Sequence, residues 1–92
     1  MTKINIKSSF ALRGGKIEHI NLGEIEATLG VCLKKIETLS ATNIVDWKLQ
    51  EIYPDIEVIL NNIYYDFLPN KMETIMNNED DLIISMITMG GG

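Results

Sequence analysis

The chain carries very little with which to do redox or metal chemistry. Of its 92 residues one is a cysteine, Cys32, and one a histidine, His19. A lone thiol closes no internal disulfide, and with a single imidazole it assembles no zinc or iron–sulfur ligand set. A solitary histidine with no identified nucleophile or base as partner is a weak start for acid–base catalysis. Basic charge is short as well: 8 Lys and Arg stand against 13 Asp and Glu, for a net charge of −5 and a pI near 4.7. Nucleic acid needs a basic stripe that displaces counterions from phosphates, so it is not expected as a partner. An acidic surface suits contact with basic patches on other proteins. Missing too are an apolar run of membrane-spanning length and, near Met1 to Phe10, the apolar core of a signal peptide. A cytoplasmic protein with no membrane partner is the expectation.

What is present suffices for one small soluble core, with 46% apolar and 23% charged residues. Ile4, Ile6 and Ser8 alternate with Asn5 and Lys7 at the period of a half-buried strand. Arg13-Gly14-Gly15-Lys16 reads as a turn, and Lys16 to about Leu22 as a second strand with Ile20 and Leu22 inward, making a hairpin. Thr28 is placed to cap a helix from about Thr28 to Thr38, with Leu29, Cys32 or Leu33, Ile36 and Leu39 on one face. Gly30 weakens that helix by about 1 kcal/mol relative to alanine.

Asn43 to Tyr53 is compatible with a short second helix through Ile44, Trp47 or Lys48, Leu49 and Ile52, stopped before Pro54. Ile56, Val58 and Leu60 then mark a third strand, Asn61-Asn62 a turn, and Ile63 to Phe67 a fourth strand. A loop at Leu68-Pro69-Asn70, one helical turn from Met72 to Met76 and a polar turn over Asn77 to Asp81 lead to an apolar final strand, Leu82 to Met89. Strands on both sides of one long helix define an α+β class: a β-grasp, with a mixed sheet of about four to five strands packed on one main helix. Residues 1–89 make this domain, and 90–92 a flexible glycine tail.

That tail, Gly90-Gly91-Gly92, has no side chains to contribute to the fold and a large ordering cost. A frayed terminus or a linker left by cloning would look the same. The functional reading has a physical basis. A carboxylate must be activated, usually as an acyl-adenylate, before sulfur or an amine can attack it. To be activated it must thread into a partner's nucleotide site, and glycines thread because no Cβ widens them.

The segments Val58-Ile59-Leu60-Asn61-Asn62, Ile63 to Phe67, Asp80-Asp81-Leu82-Ile83-Ile84 and terminal Gly91-Gly92 resemble the ubiquitin-like sulfur-carrier family (MoaD/ThiS-like), most closely the type of the molybdopterin synthase small subunit. Phe10-Ala11-Leu12-Arg13 and the helix start Thr28-Leu29 are similar to elements of the same family. Ile87 and Thr88 stand where the family usually has prolines, and Gly90 adds a third glycine. Ser40 to Tyr53 is long for a thiamin carrier, which favours the molybdopterin type.

The resemblance implies a carrier rather than an enzyme, with no bound cofactor. An E1-like adenylyltransferase would use ATP to adenylate Gly92, with Gly90 and Gly91 threading. Sulfur would replace AMP as a thiocarboxylate and pass to an acceptor such as the molybdopterin synthase large subunit. Tyr64, Met86 and Met89 match the family's hydrophobic contact positions. A protein modifier joined through the same glycine to lysines, or a plain binding domain with an incidental tail, are the other readings.

Two further features of the sequence bear on these readings. Leu82, Ile84 and Met86 face one way on the last strand and Ile83, Ser85 and Ile87 the other, so both faces are apolar. One row therefore stays open to a partner unless Asn43 to Tyr53 folds over it. Cys32, among helix apolar residues, reads as a small core residue rather than a sulfur carrier. His19 reads as a solvated side chain. Glu79-Asp80-Asp81 lacks the alternating ligands and distal Glu of a calcium loop and reads as a solvated turn.

Overall fold

A computed structural model describes residues 2–8, 18–23, 27–40 and 42–86. Strand β1 (Lys3–Ser8) pairs antiparallel with β2 (His19–Asn21), as the alternation around Ile4, Ile6 and Ile20 predicts, and those three side chains are buried. The expected turn at Arg13 to Lys16 lies outside the described residues.

Helix α1 (Leu29–Ser40) starts where the cap residue is expected: the Val31 N–H donates to Thr28 Oγ1 at 3.3 Å. Leu29, Cys32, Leu33 and Ile36 bury one face. Leu39, expected on that face, is half exposed. The helix runs on to Ser40, which is fully buried yet satisfied because its hydroxyl donates to the Ile36 carbonyl at 2.6 Å. Gly30 has a packing reason. A Cβ there would lie 3.3 Å from the carbonyl oxygen of Met72, so a bare backbone lets the helix and the 3-10 turn Lys71–Glu73 meet closely.

The largest departure from expectation is between Asn43 and Tyr53, which form no helix. The chain makes a small antiparallel pair, β3 (Val45–Asp46) and β4 (Glu51–Ile52). The Asp46 carboxylate accepts the N–H groups of Lys48 and Leu49, at 3.1 and 3.4 Å, and so closes a tight turn through residues 47–50. Gln50 ends it with φ at 56°. Glu37 on α1 holds the start of the pair. Its Oε2 accepts the N–H groups of Ile44 (2.7 Å) and Val45 (2.9 Å), and its Oε1 accepts Trp47 Nε1–H at 2.6 Å. Ile44 and Val45 then join the core beside the helix.

Strand β5 (Ile56–Leu60) turns into β6 (Ile63–Tyr64) through Asn61 and Asn62, both at positive φ (49° and 70°). Two such residues define the two-residue turn whose twist suits a hairpin, and asparagine tolerates that conformation. The strand expected to reach Phe67 stops at Tyr64. A 3-10 turn, Tyr65–Phe67, redirects the chain so that Leu68 is buried, and the Leu68 N–H donates to the Tyr65 carbonyl at 3.0 Å. The helical turn expected over Met72 to Met76 is the 3-10 turn Lys71–Glu73.

The final strand, β7 (Asp81–Met86), lies in the centre of a mixed five-stranded sheet ordered β2-β1-β7-β5-β6, parallel to β1 and antiparallel to β5. Ile4, Ile6, Val58, Leu82 and Ile84 face α1 across one core with Leu29, Leu33 and Ile36. Among the described residues no helix is long and apolar enough to cross a membrane.

Candidate functional site

Two rows of side chains follow from the strand alternation of β7. Leu82, Ile84 and Met86 lie on the helix side, opposite Leu60, Val58 and Ile56 of β5. Ile83 and Ser85 lie on the outer side, opposite Ile59 and Glu57. The registers build one continuous outer row across four strands: Tyr64 of β6 pairs with Ile59, Ile59 with Ile83, and Ile83 with Lys7 of β1. Ile59 and Ile83 are half-buried and Tyr64 is 48% exposed. Between a lysine at one end and an aromatic at the other lies an apolar strip that the helix does not cover.

The β3–β4 pair, a possible cover for that strip, is tied to α1 by Glu37 and adds Ile44 and Val45 to the core on the helix side. The β3–β4 pair therefore does not cover the outer row. Tyr64 belongs to it. Met86 does not: it shares its parity with the buried Ile84 but stands at the strand's end, 49% exposed. Met89, Gly90, Gly91 and Gly92 lie outside the described residues. Ile59 was not singled out in the sequence, although the unbroken apolar run Val58-Ile59-Leu60 was the available signal, since such a run puts apolar groups on both faces.

The loops beside the row are fixed by side-chain bonds. Asn61 Nδ2 donates to Asp80 Oδ1 at 3.0 Å, and the Asp81 N–H donates to Asn61 Oδ1 at 2.9 Å. Asp80 Oδ2 also accepts the Asn77 N–H at 2.7 Å. The acidic run is thus a set of turn locks. Among the described residues no group of three or more His, Cys, Asp or Glu could hold a metal ion. Cys32 is fully buried, and burial pushes its thiol up to about 12, with Lys35 opposing the shift only partly. Such a thiol stays neutral and cannot act as a sulfur nucleophile.

A mixed sheet with its last strand central and one helix across it defines the ubiquitin-like β-grasp fold. Two solved structures share it. SAMP1 from Haloferax volcanii superimposes with a TM-score of 0.65 at 16% identity, over 99% of this chain and 98% of that one. Urm1 from Trypanosoma brucei does so with a TM-score of 0.69 at 18% identity, over 98% of this chain and 96% of that one. No protein-family model matches the sequence, and no curated protein does.

Proposed function

We propose that the chain is a sulfur carrier whose C-terminal carboxylate, on Gly92, is activated by an E1-like adenylyltransferase. The observation that carries this reading is the fold likeness over nearly the whole chain to SAMP1 and Urm1, which are ubiquitin-like sulfur carriers and modifiers. The carboxylate oxygen attacks the α-phosphorus of ATP in the partner's site and expels pyrophosphate. A persulfide sulfur then attacks the acyl carbon and AMP leaves. A second thiol reduces the resulting acyl disulfide, freeing a thiocarboxylate that passes its sulfur to an acceptor. All of the bond-making groups except the carboxylate belong to partners.

The chain supplies recognition. In this reading the outer row of Tyr64, Ile59 and Ile83 seats against the activating enzyme, and Met86 and Met89 flank the passage of Gly90 and Gly91. Aromatic and methionine side chains suit such a role, one rigid and one adaptable. The acceptor we favour is of the molybdopterin synthase large-subunit type, from the sequence resemblance and the length of Ser40 to Tyr53.

The test is intact mass after incubation with an E1-like enzyme, ATP and a sulfur donor, beside a control carrier known to react. Replacement of one oxygen by sulfur at Gly92 is the expected result. No change while the control is converted would refute the carrier reading. Isopeptide adducts joining Gly92 to target lysines, found instead of a thiocarboxylate, would make the chain a protein modifier.

A further inference from the structure

The β3–β4 pair takes no part in the activation chemistry above, yet it builds one wall of an open groove of about 630 Å³. Glu51 and Ile52 of β4 form that wall, with Gln50 before them; Tyr65 and Asp66 of the first 3-10 turn, Asn70, and Met72 and Glu73 of the second turn line it as well. The floor is apolar, with Met72 buried and Ile52 and Tyr65 half-buried. The rim is acidic, with Glu51, Asp66 and Glu73 all exposed.

One cation, Lys71, also lines the groove, but its ammonium is turned back onto the protein. It donates to the carbonyl oxygens of Tyr65 (3.4 Å) and Asp66 and lies 5.6 Å from the centre of the Tyr65 ring. None of the three carboxylates is taken up by an ion pair or hydrogen bond among the described residues. Burial pushes the Tyr65 hydroxyl up, and Asp66 and then Glu51 add to that shift.

We infer that this groove docks an arginine-bearing basic segment of a partner protein. The match is one of shape and charge. An arginine's aliphatic stem packs on the floor of Ile52, Tyr65 and Met72 while its guanidinium meets the rim carboxylates. The groove opens beside the helix-side hairpin rather than on the outer row of Tyr64, Ile59 and Ile83, so it is a second contact that does not depend on the tail chemistry.

The experiment is an amide-shift NMR titration of the full chain with a capped Arg-Leu-Arg peptide, beside matched Asp-Leu-Asp and spermidine controls. Shifts confined to residues 50–52, 65–66 and 71–73 are expected, for the arginine peptide alone. Neutralising the rim with Glu51→Gln, Asp66→Asn and Glu73→Gln together should weaken binding by about tenfold, and each single change by a smaller factor. Thermal melts of every variant keep loss of binding apart from loss of fold. Absence of shifts, shifts centred on Ile59, Tyr64 and Ile83, equal binding of spermidine, or undiminished binding to folded neutralised variants would each overturn the inference.

Discussion

Replacing Glu37 by alanine removes one carboxylate and orphans three donors at once. Two are the backbone N–H groups of Ile44 and Val45, 2.7 and 2.9 Å away, and the third is the indole N–H of Trp47 at 2.6 Å. All three bonds are partly buried and charge-assisted, a class in which each contributes about 1.5–3 kcal/mol. Water can reach part of the vacated space, so the sum must be discounted, and a net loss of about 2–4 kcal/mol is expected. For a domain this small, total stability is only about 5–14 kcal/mol, and the melting temperature should fall by roughly 10–25 °C.

Glu37→Gln separates charge from geometry. Its amide oxygen can still accept from Ile44 and Val45, but its NH2 then faces the Trp47 indole, donor against donor, so about half of the loss is expected. Trp47 is the single tryptophan, and its emission reports the hairpin directly. A red shift should precede global unfolding in Glu37→Ala. If that variant melts within about 2 °C of the parent with unchanged emission, Glu37 does not hold the hairpin and the account of residues 43–53 is wrong.

The Cys32 thiol should resist an aromatic disulfide reagent at neutral pH until denaturant is added; rapid stoichiometric reaction of the native protein would contradict its burial. Because its folded pKa is raised from 9.0 to about 12, the stability it contributes is whole below about 9 and drains away as pH climbs towards 12. Cys32→Ala should flatten that alkaline decline, and the difference between the two proteins isolates the thiol from Tyr65, which is raised as well. Asn61→Ala keeps a β-carbon at φ 49° without the amide that makes asparagine tolerant of that conformation, and it breaks both bonds to Asp80 and Asp81, for a loss of about 1–3 kcal/mol in urea unfolding. Asn61→Gly keeps the turn and loses only the bonds, so it should fall between the two; equal stability of all three would refute the turn-lock reading. Tyr64→Arg should leave the melting temperature within about 2 °C, since the side chain is half exposed, while slowing adenylation by an E1-like enzyme about tenfold. An unchanged rate would remove the outer row from the proposed contact.

Most of the scaffold could be read from periodicity because its elements bury one face. Ile4 and Ile6, Ile56 to Leu60 and Leu82 to Ile84 keep a period of two, and Leu29 to Ile36 the spacing of a helix. Residues 43–53 could not be read that way. Their apolar spacing suits a helical turn, and the decision against it is made elsewhere, by a carboxylate on α1 and by Asp46 folding over its own following amides. Leu39 shows the same limit from the other side: it has a helical spacing, but the inward position at the helix end goes to Ser40, which is fully buried while Leu39 is exposed. For the site, Tyr64 came from the family resemblance, and its side chain is half exposed. That Met86 belongs to the opposite face was legible from its even spacing with Leu82 and Ile84. What no local pattern contains is the row itself, because Lys7, Ile83, Ile59 and Tyr64 meet only through the registers of four strands.

Those registers also bear on where the tail starts. The strand from which the glycines depart is not an edge but the centre of the sheet, paired with β1 from Asp81 to Ile84 and with β5 from Leu82 to Met86. A central strand with Leu82 and Ile84 fully buried on its helix side is among the last parts of a small domain to open. β7 therefore carries the chain to Met86 on a firmly paired strand. Under the proposed function the row orients the domain on a partner, and its distance from Met86 does not change. Loosening β7 should then impair activation even with every tail glycine intact. Ile84→Ala, which empties a fully buried position two residues before Met86, is the sharpest way to cause that loosening.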